Sequence, residues 1–591
     1  MPKKKRGLVI FAALLFTLAA CGNSADEPAA GSGGSVAVVP KFDTVMKNNG
    51  AAIEGGVLKY ALVKDSPFQG IFSPEFYVDA YDSELMGFSH EPLFSEAGDF
   101  SLSQEGMATF GFDKETKTIS IILKDDLKWS DGEPLTTDDI LFAYEVIGHP
   151  DYTGSRYGQT FANVVGMAEY HNGSAETISG IHVIDDTHIT IEFLEANASL
   201  LQSGGGVWAY PMPRHQLGDV AIADMASSPE IRENPVGAGP FRVKSIIPGQ
   251  SVVFEANEYY WKGRPKLDGI IVDVVGSATI VSEMEAGSYD IASMPTSSYD
   301  SYKELENITL LGRDALAYSY IGFKLGEWDE EKGENVMDPG AKMADVNLRK
   351  AMAYAIDNNA IATEFYDGLR GNVNGLIPPV FADYRNRDAS GFYLDVAKAN
   401  RILDDAGYID TDADGFRETP EGEPLAITFA AMAGDETAEP IAQYYIQQWQ
   451  AIGLNVTLAT GRMIEFQTFY NMIGSDHAGI DVYQAAWGTG TDPNPTELYG
   501  RTAAFNYTRW TSEANDAALA KINSSNSLDK AYRVEAYKEW QKVMFEEVPV
   551  IPTLWRKELF AVNNRVKGYD ITYGAKNGWE AVELTATEPI K

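Results

Sequence analysis

The sequence predicts an α/β protein, and three observations carry that prediction. Helical runs with apolar residues three and four apart stop at a glycine and lead into a short alternating strand. Strand-like and helix-like patterns are interspersed along the chain rather than segregated. No repeat of fixed period is present, which sets solenoids and propellers aside. With 591 residues, 45% hydrophobic and 11% aromatic, the chain can fill the cores of two to four domains.

The elements follow in order. Strands are expected at 118–123, at 188–193 with Ile189, Ile191 and Phe193 alternating, and at 251–255. Asp185-Asp186 reads as the tight turn before the second of these. A helix over 347–365 places Leu348, Met352, Ala355 and Ile356 on one face. A second, over 396–406, carries Val396, Ala399, Ile402, Leu403 and Ala406 and meets Gly407 as a C-terminal cap. A third, over 440–452, aligns Ile441, Tyr444, Tyr445, Trp449 and Ile452 and stops at Gly453. Leu454, Val456 and Leu458 then alternate as a strand. Val534, Tyr537, Trp540 and Met544 mark a helix over 531–545.

The first residues carry the most specific local signal. Lys3, Lys4, Lys5 and Arg6 precede an apolar run over 7–20, shorter than the roughly 20 residues a membrane span needs. The run reads as a secretory signal. It ends in Leu18-Ala19-Ala20-Cys21, which resembles a bacterial lipobox and makes Cys21, the single cysteine, the expected site of lipid attachment. Residues 21–53, rich in Gly, Ala, Ser and Pro, read as a flexible tether. The net charge of −38 argues against nucleic acid, whose phosphates require a basic surface.

Four blocks then occur in a telling order: Leu127-Lys128-Trp129-Ser130-Asp131-Gly132 with a Thr/Asp-capped helix start behind it; Asn234-Pro235-Val236-Gly237-Ala238-Gly239-Pro240-Phe241; Asn347-Leu348-Arg349-Lys350-Ala351-Met352-Ala353-Tyr354-Ala355-Ile356-Asp357; and Trp487-Gly488-Thr489-Gly490-Thr491-Asp492-Pro493. The glycines of the second block are expected to supply unusual backbone angles. Together the blocks resemble the extracellular solute-binding proteins that serve peptide and nickel importers, over roughly residues 54–585. The resemblance implies a two-lobed periplasmic-binding-protein-like clamshell (type II). Lobe I would hold 54–95, 235–320 and 558–591, with a subdomain inserted at 96–234. Lobe II would hold 321–557, with crossings near 320–323 and 555–562.

It also implies a function and a site. The expected protein is a lipid-anchored monomer on the extracytoplasmic face of the cell membrane. It captures oligopeptides by hinge closure and delivers them to ABC permease subunits served by a separate ATPase. In such proteins an Asp after a Trp clamps the peptide ammonium, which points here to Asp492. Relatives carry Trp-x-x-Asp, and this chain places two more residues between Trp487 and Asp492. Trp487, Gly488 and Thr489 would offer backbone edge and an apolar wall, and Ser89, His90 and Glu91 fall where relatives place the facing strand. Trp208 and Tyr210, behind a run of three glycines, are candidates to line the cleft.

No cofactor is required by this reading. A separate run, Asp410-Thr411-Asp412-Ala413-Asp414-Gly415 followed by Glu421, fits the calcium-loop pattern, with a solvated acidic hairpin as the alternative. Motifs of zinc proteases, serine hydrolases and P-loop NTPases are missing from the sequence, so an enzyme is not expected. An oligosaccharide or metal chelate in the same fold, a signalling-peptide receptor and, remotely, a surface hydrolase remain open alternatives.

Overall fold

The computed structural model describes residues 40–372, 375–387 and 391–591. The apolar leader, Cys21 and the tether as far as residue 39 lie outside the described residues. The later part of the expected tether is docked rather than loose. Asp43 bridges to Leu311 and Val45 to Asp570, and the Met46 N–H donates to the Tyr569 carbonyl at 2.8 Å. Phe42, Met46 and Ile53 each reach a core of the body, and burying such side chains offsets the cost of ordering a Gly- and Ala-rich backbone.

A sheet of eleven strands runs through the molecule. Its spine is a pair of long antiparallel strands, Ile308–Phe323 and Val550–Asn563. On one side Ile291–Met294 pairs with the second of them, followed by Val57–Val63, Gly269–Val275, Ser251–Ala256 and Phe241–Ile247. On the other side Val482–Gly488 pairs with the first, followed by Ala426–Ala430 and Asn455–Leu458. The spine therefore belongs to both halves. Its register slips between Asp314 and Tyr318, opposite the 555–557 stretch, and again between Ser319 and Tyr320. Irregularities of this kind give a long strand pair a local bend.

A separate antiparallel sheet orders Ala108–Asp113, Thr118–Leu123, His188–Glu192 and Ile181–Asp185. Alternation turns Ile119, Ile121, Ile189 and Ile191 into a core shared with Trp129 and the helix Thr137–Gly148. That helix starts as the sequence implies: Thr136 and Asp139 form a reciprocal capping box. Asp185 closes the expected turn by accepting the Thr187 and His188 N–H groups at 2.9 Å.

The helices Val396–Asp405, Ala438–Gln450 and Lys530–Glu547 match their expected positions. Gly407 and Gly453 take left-handed angles, φ +89° and +83°, just past two of them. The 347–365 helix is in fact two, Val346–Tyr354 and Asn358–Tyr366, because Asp357 caps the second by accepting the Ala360 N–H at 3.0 Å. The third sequence block owes its arginine to this region. Buried Arg349 donates to the carbonyls of Met343, Ala344, Glu547 and Val548 at 2.6–2.9 Å, closing the end of the long 530–547 helix.

Candidate ligand-binding cleft

The first wall is built by a short helix. Asp79 caps Ala80–Met86 by accepting the Tyr81 and Asp82 N–H groups at 3.0 and 2.9 Å. The chain leaves it in a turn, with the Ser89 and His90 N–H groups donating back to the Met86 carbonyl at 2.9 and 2.7 Å. Residues 87–91 are thus a turn and not the expected facing strand, because these helix-end bonds use the donors a strand would need. Ser89 is buried; its Oγ lies 3.0 Å from His90 Nδ1, and its carbonyl accepts the Gly239 N–H at 2.8 Å. His90 lines the cleft, and burial pushes its imidazole down to about 4, so it is neutral there. Glu91 braces the neighbouring segment: it accepts the Tyr260 hydroxyl and the Trp261 indole N–H, with Lys262 Nζ at 3.5 Å.

The glycines of the second block act differently from expectation. Neither Gly237 nor Gly239 has a left-handed φ. A Cβ on Gly237 would stand 2.1 Å from the Ser89 carbonyl oxygen, and one on Gly239 2.5 Å from the Ser89 carbonyl carbon. Close approach of two backbones is the constraint, and it sets the position of the 89–90 wall.

Behind that wall the Tyr60 hydroxyl donates to Glu84 at 2.5 Å. Burial is the largest influence on Glu84 and lifts it from an ordinary 4.5 to about 7. The folded state therefore binds this proton more tightly than the unfolded state. The stability it contributes is full below pH 4.5 and is lost as pH rises through 7. Glu84→Gln is expected to leave the urea midpoint unchanged at pH 4 and to raise stability at pH 8 by about 1–3 kcal/mol. Equal midpoints for variant and parent at pH 8 would count against this.

The second wall comes from Val482–Gly488 and the loop after it. Trp487 stacks between Tyr320 and Tyr507, with ring centroids at 6.3 and 5.3 Å, and meets Phe505 edge-on. Gly488 is exposed, and Thr489 donates its N–H to the Leu316 carbonyl at 2.8 Å. On its far side the strand pairs only through Val482 and Tyr483, so among the described residues its 484–488 edge has no strand partner. An open edge of this kind can take an extended chain. Asp492, 7% exposed, lines the cleft, but its carboxylate has Arg533 Nη2 at 3.6 Å and accepts the Asn494 N–H at 3.1 Å. Burial raises its pKa, with the Arg533 charge opposing.

Between the walls lies a cavity of about 620 Å³, reached by His90, Trp208 and Tyr210 from one side and by Gly490, Glu497 and Phe505 from the other. A smaller cavity of about 280 Å³ adjoins it, sharing Arg156, Glu497 and Phe505 and adding Asp492. Hydrogen bonds cross directly between the halves. Gln202 donates to the Thr491 carbonyl at 3.2 Å, Thr491 to the Ser203 carbonyl at 2.6 Å, and Asn494 to Ser199 at 3.0 Å. Gln69 bonds Gln467 at 3.0 Å on another flank. These are the contacts of a closed cleft. Glu497, Thr160, Arg156 and Phe505 were not singled out by sequence, since none stands in a recognisable motif.

In the acidic loop the structure changes the candidate set. Asp410 and Asp412 come together with Glu418, with carboxylate oxygens within 4.8 Å of one another. Glu421 lies outside that group, and Asp414 turns back to accept the Phe416 N–H at 2.8 Å. The cause is a hairpin, with Glu418 bridged to Pro424, which carries Glu421 to the exposed tip in place of the exiting helix a calcium loop uses.

Two halves on a shared spine, closed over an internal cavity, define a clamshell that captures a ligand by enclosing it. The model of the bacterial extracellular solute-binding proteins, family 5, matches residues 105–508. The chain is 33% identical over 557 residues to the oligopeptide-binding protein OppA of Lactococcus lactis subsp. cremoris (strain SK11), covering 93% of each. The solved structure of lactococcal OppA, complexed with an endogenous peptide in the closed conformation, superposes with a TM-score of 0.87 at 34% identity, over 90% of this chain and 100% of that one. NikZ from Campylobacter jejuni, in complex with Ni(L-His), shares the fold with a TM-score of 0.71 at 20% identity, over 90% of this chain and 100% of that one. The chain belongs to the bacterial extracellular solute-binding proteins of family 5.

Proposed function

We propose that the protein is the extracytoplasmic receptor of an oligopeptide ABC importer, enclosing its ligand between the two halves and presenting the closed form to the permease. The single observation that carries this is the cavity between the walls, large enough for several peptide residues, beside a smaller one that reaches Gly488 at the end of an open strand edge. An open edge bonds the backbone that all peptides share, and a roomy, water-filled cavity tolerates varied side chains. The 33% identity to an oligopeptide-binding protein over nearly the whole chain supports a peptide over the metal chelate of the more distant NikZ. The slip at Asp314–Tyr318 is where the spine bends on opening. The leader, with Cys21 as the acylated residue, ties a monomeric receptor to the membrane surface, and ATP is hydrolysed by a separate subunit.

Native mass spectrometry of the protein from its own host tests this. Co-purified peptides of mixed sequence, displaced by an added peptide pool, are the expected result. A bound sugar or metal chelate that a peptide pool fails to displace would overturn the peptide reading. In the same spectra, a mature chain lacking a lipid-modified Cys21 would remove the anchor.

A further inference from the structure

Glu497 is a carboxylate on the ligand cavity without a counter-charge of its own. It lies on the wall common to both adjoining cavities. Oε1 accepts the Thr160 N–H and the Thr160 hydroxyl at 3.0 and 2.8 Å, across the two halves. Beside Oε2 is Gly158, where a Cβ would stand 2.4 Å away, so no side chain there covers this oxygen. The influences on its charge are burial and the two Thr160 bonds, with no lysine or arginine among them. Arg156, the cation lining the same cavities, gives its guanidinium to the Pro74 and Tyr77 carbonyls at 3.2 and 2.9 Å. Asp492 differs on this point, because Arg533 already faces it.

A carboxylate partly withdrawn from water and left without a cation is held at a cost that a ligand bringing the charge relieves. Every unblocked peptide carries one cation independent of its sequence, its amino end. Resting on the peptide reading above, we propose that Glu497, and not Asp492, receives the free amino end of the bound peptide, with Thr160 holding the carboxylate in position. Gly490, in the stretch where relatives keep the Asp of Trp-x-x-Asp, carries no side chain for that task. Thr160 is then a positioning residue, and closure assembles the acceptor by bringing it to Glu497.

Isothermal titration of the ligand-stripped full-length protein tests this, using a neutral nonapeptide and its N-acetylated twin. The quantity read is the ratio of the two affinities within each variant, so any general weakening of closure cancels. The parent is expected to prefer the free amine at least about tenfold. Glu497→Gln is expected to bring the ratio close to one. Asp492→Asn is expected to keep it, and Thr160→Val to weaken both peptides with much of the preference retained. A parent indifferent to acetylation, a preference that survives Glu497→Gln, or one lost in Asp492→Asn would overturn the assignment while leaving peptide binding intact. A parent that takes neither peptide would overturn the peptide reading and this inference with it.

Discussion

Arg565→Met is expected to lower the stability of the folded protein by about 3–5 kcal/mol. Arg565 and Asp290 form a two-pronged pair, with Nε to Oδ1 and Nη2 to Oδ2 both at 2.6 Å. Their side chains are 1% and 0% exposed, so neither charge falls back on water if the other is removed. The guanidinium also donates to the carbonyls of Ala586, Thr587 and Val57 at 3.1, 2.6 and 3.3 Å. Asp290 in turn accepts the Lys59 N–H at 2.8 Å. One side chain thus joins the start of the first strand, the turn before Ile291–Met294 and the C-terminal tail. Methionine fills most of the volume but leaves a buried carboxylate and three carbonyls short of donors. The urea midpoint of the full-length protein reads the loss, and a midpoint within error of the parent would refute it. Replacing both partners by apolar residues should recover much of the stability, since the cost lies in the orphaned charge.

Gly237→Ala is expected to act on stability and uptake together. The new methyl would stand 2.1 Å from the Ser89 carbonyl oxygen, which is backbone and has no rotamer to turn away. Overpacking of this kind costs about 1–3 kcal/mol, and relief comes from moving one of the two segments. The segment that moves carries Ser89 and His90, and His90 lines the cleft. Peptide affinity should therefore fall on the order of tenfold or more beside the lost stability, as positioned contacts are displaced. Titration with peptide, alongside a urea curve, separates the two effects. Affinity unchanged in a destabilised variant would mean that the wall tolerates the shift. A variant identical to the parent in both would show that the close approach is not a constraint.

Much of the fold was legible because local rules and tertiary demand agreed. The alternation of Ile119, Ile121, Ile189 and Ile191 needs only a sheet with one buried face, and the Thr136–Asp139 box needs only a helix start. Gly407 and Gly453 follow from the left-handed turn that ends a helix. The break at Asp357 is not legible in the sequence because apolar spacing on either side is continuous, and only its bond to the Ala360 N–H distinguishes this carboxylate from one that faces water. The docking of Met46 was hidden in the same way, as an isolated apolar residue inside a tether-like composition.

The site divides along a similar line. Sequence places Trp487, Gly488, Thr489 and Asp492 on one short stretch, of which Gly488, Thr489 and Asp492 line the smaller cavity while Trp487 packs between Tyr320 and Tyr507. It also implies the class of protein, because blocks in a fixed order and an apolar leader are written in linear spacing. Tertiary structure alone decides which carboxylate stays uncompensated. Asp492 meets Arg533, 41 positions later in the chain, and Glu497 meets Thr160, 337 positions earlier. It likewise decides why Gly237 must lack a side chain, since Ser89 approaches from a distant segment. Charge compensation and steric contact depend on distance in space, and a chain of this length brings together residues that no local pattern relates.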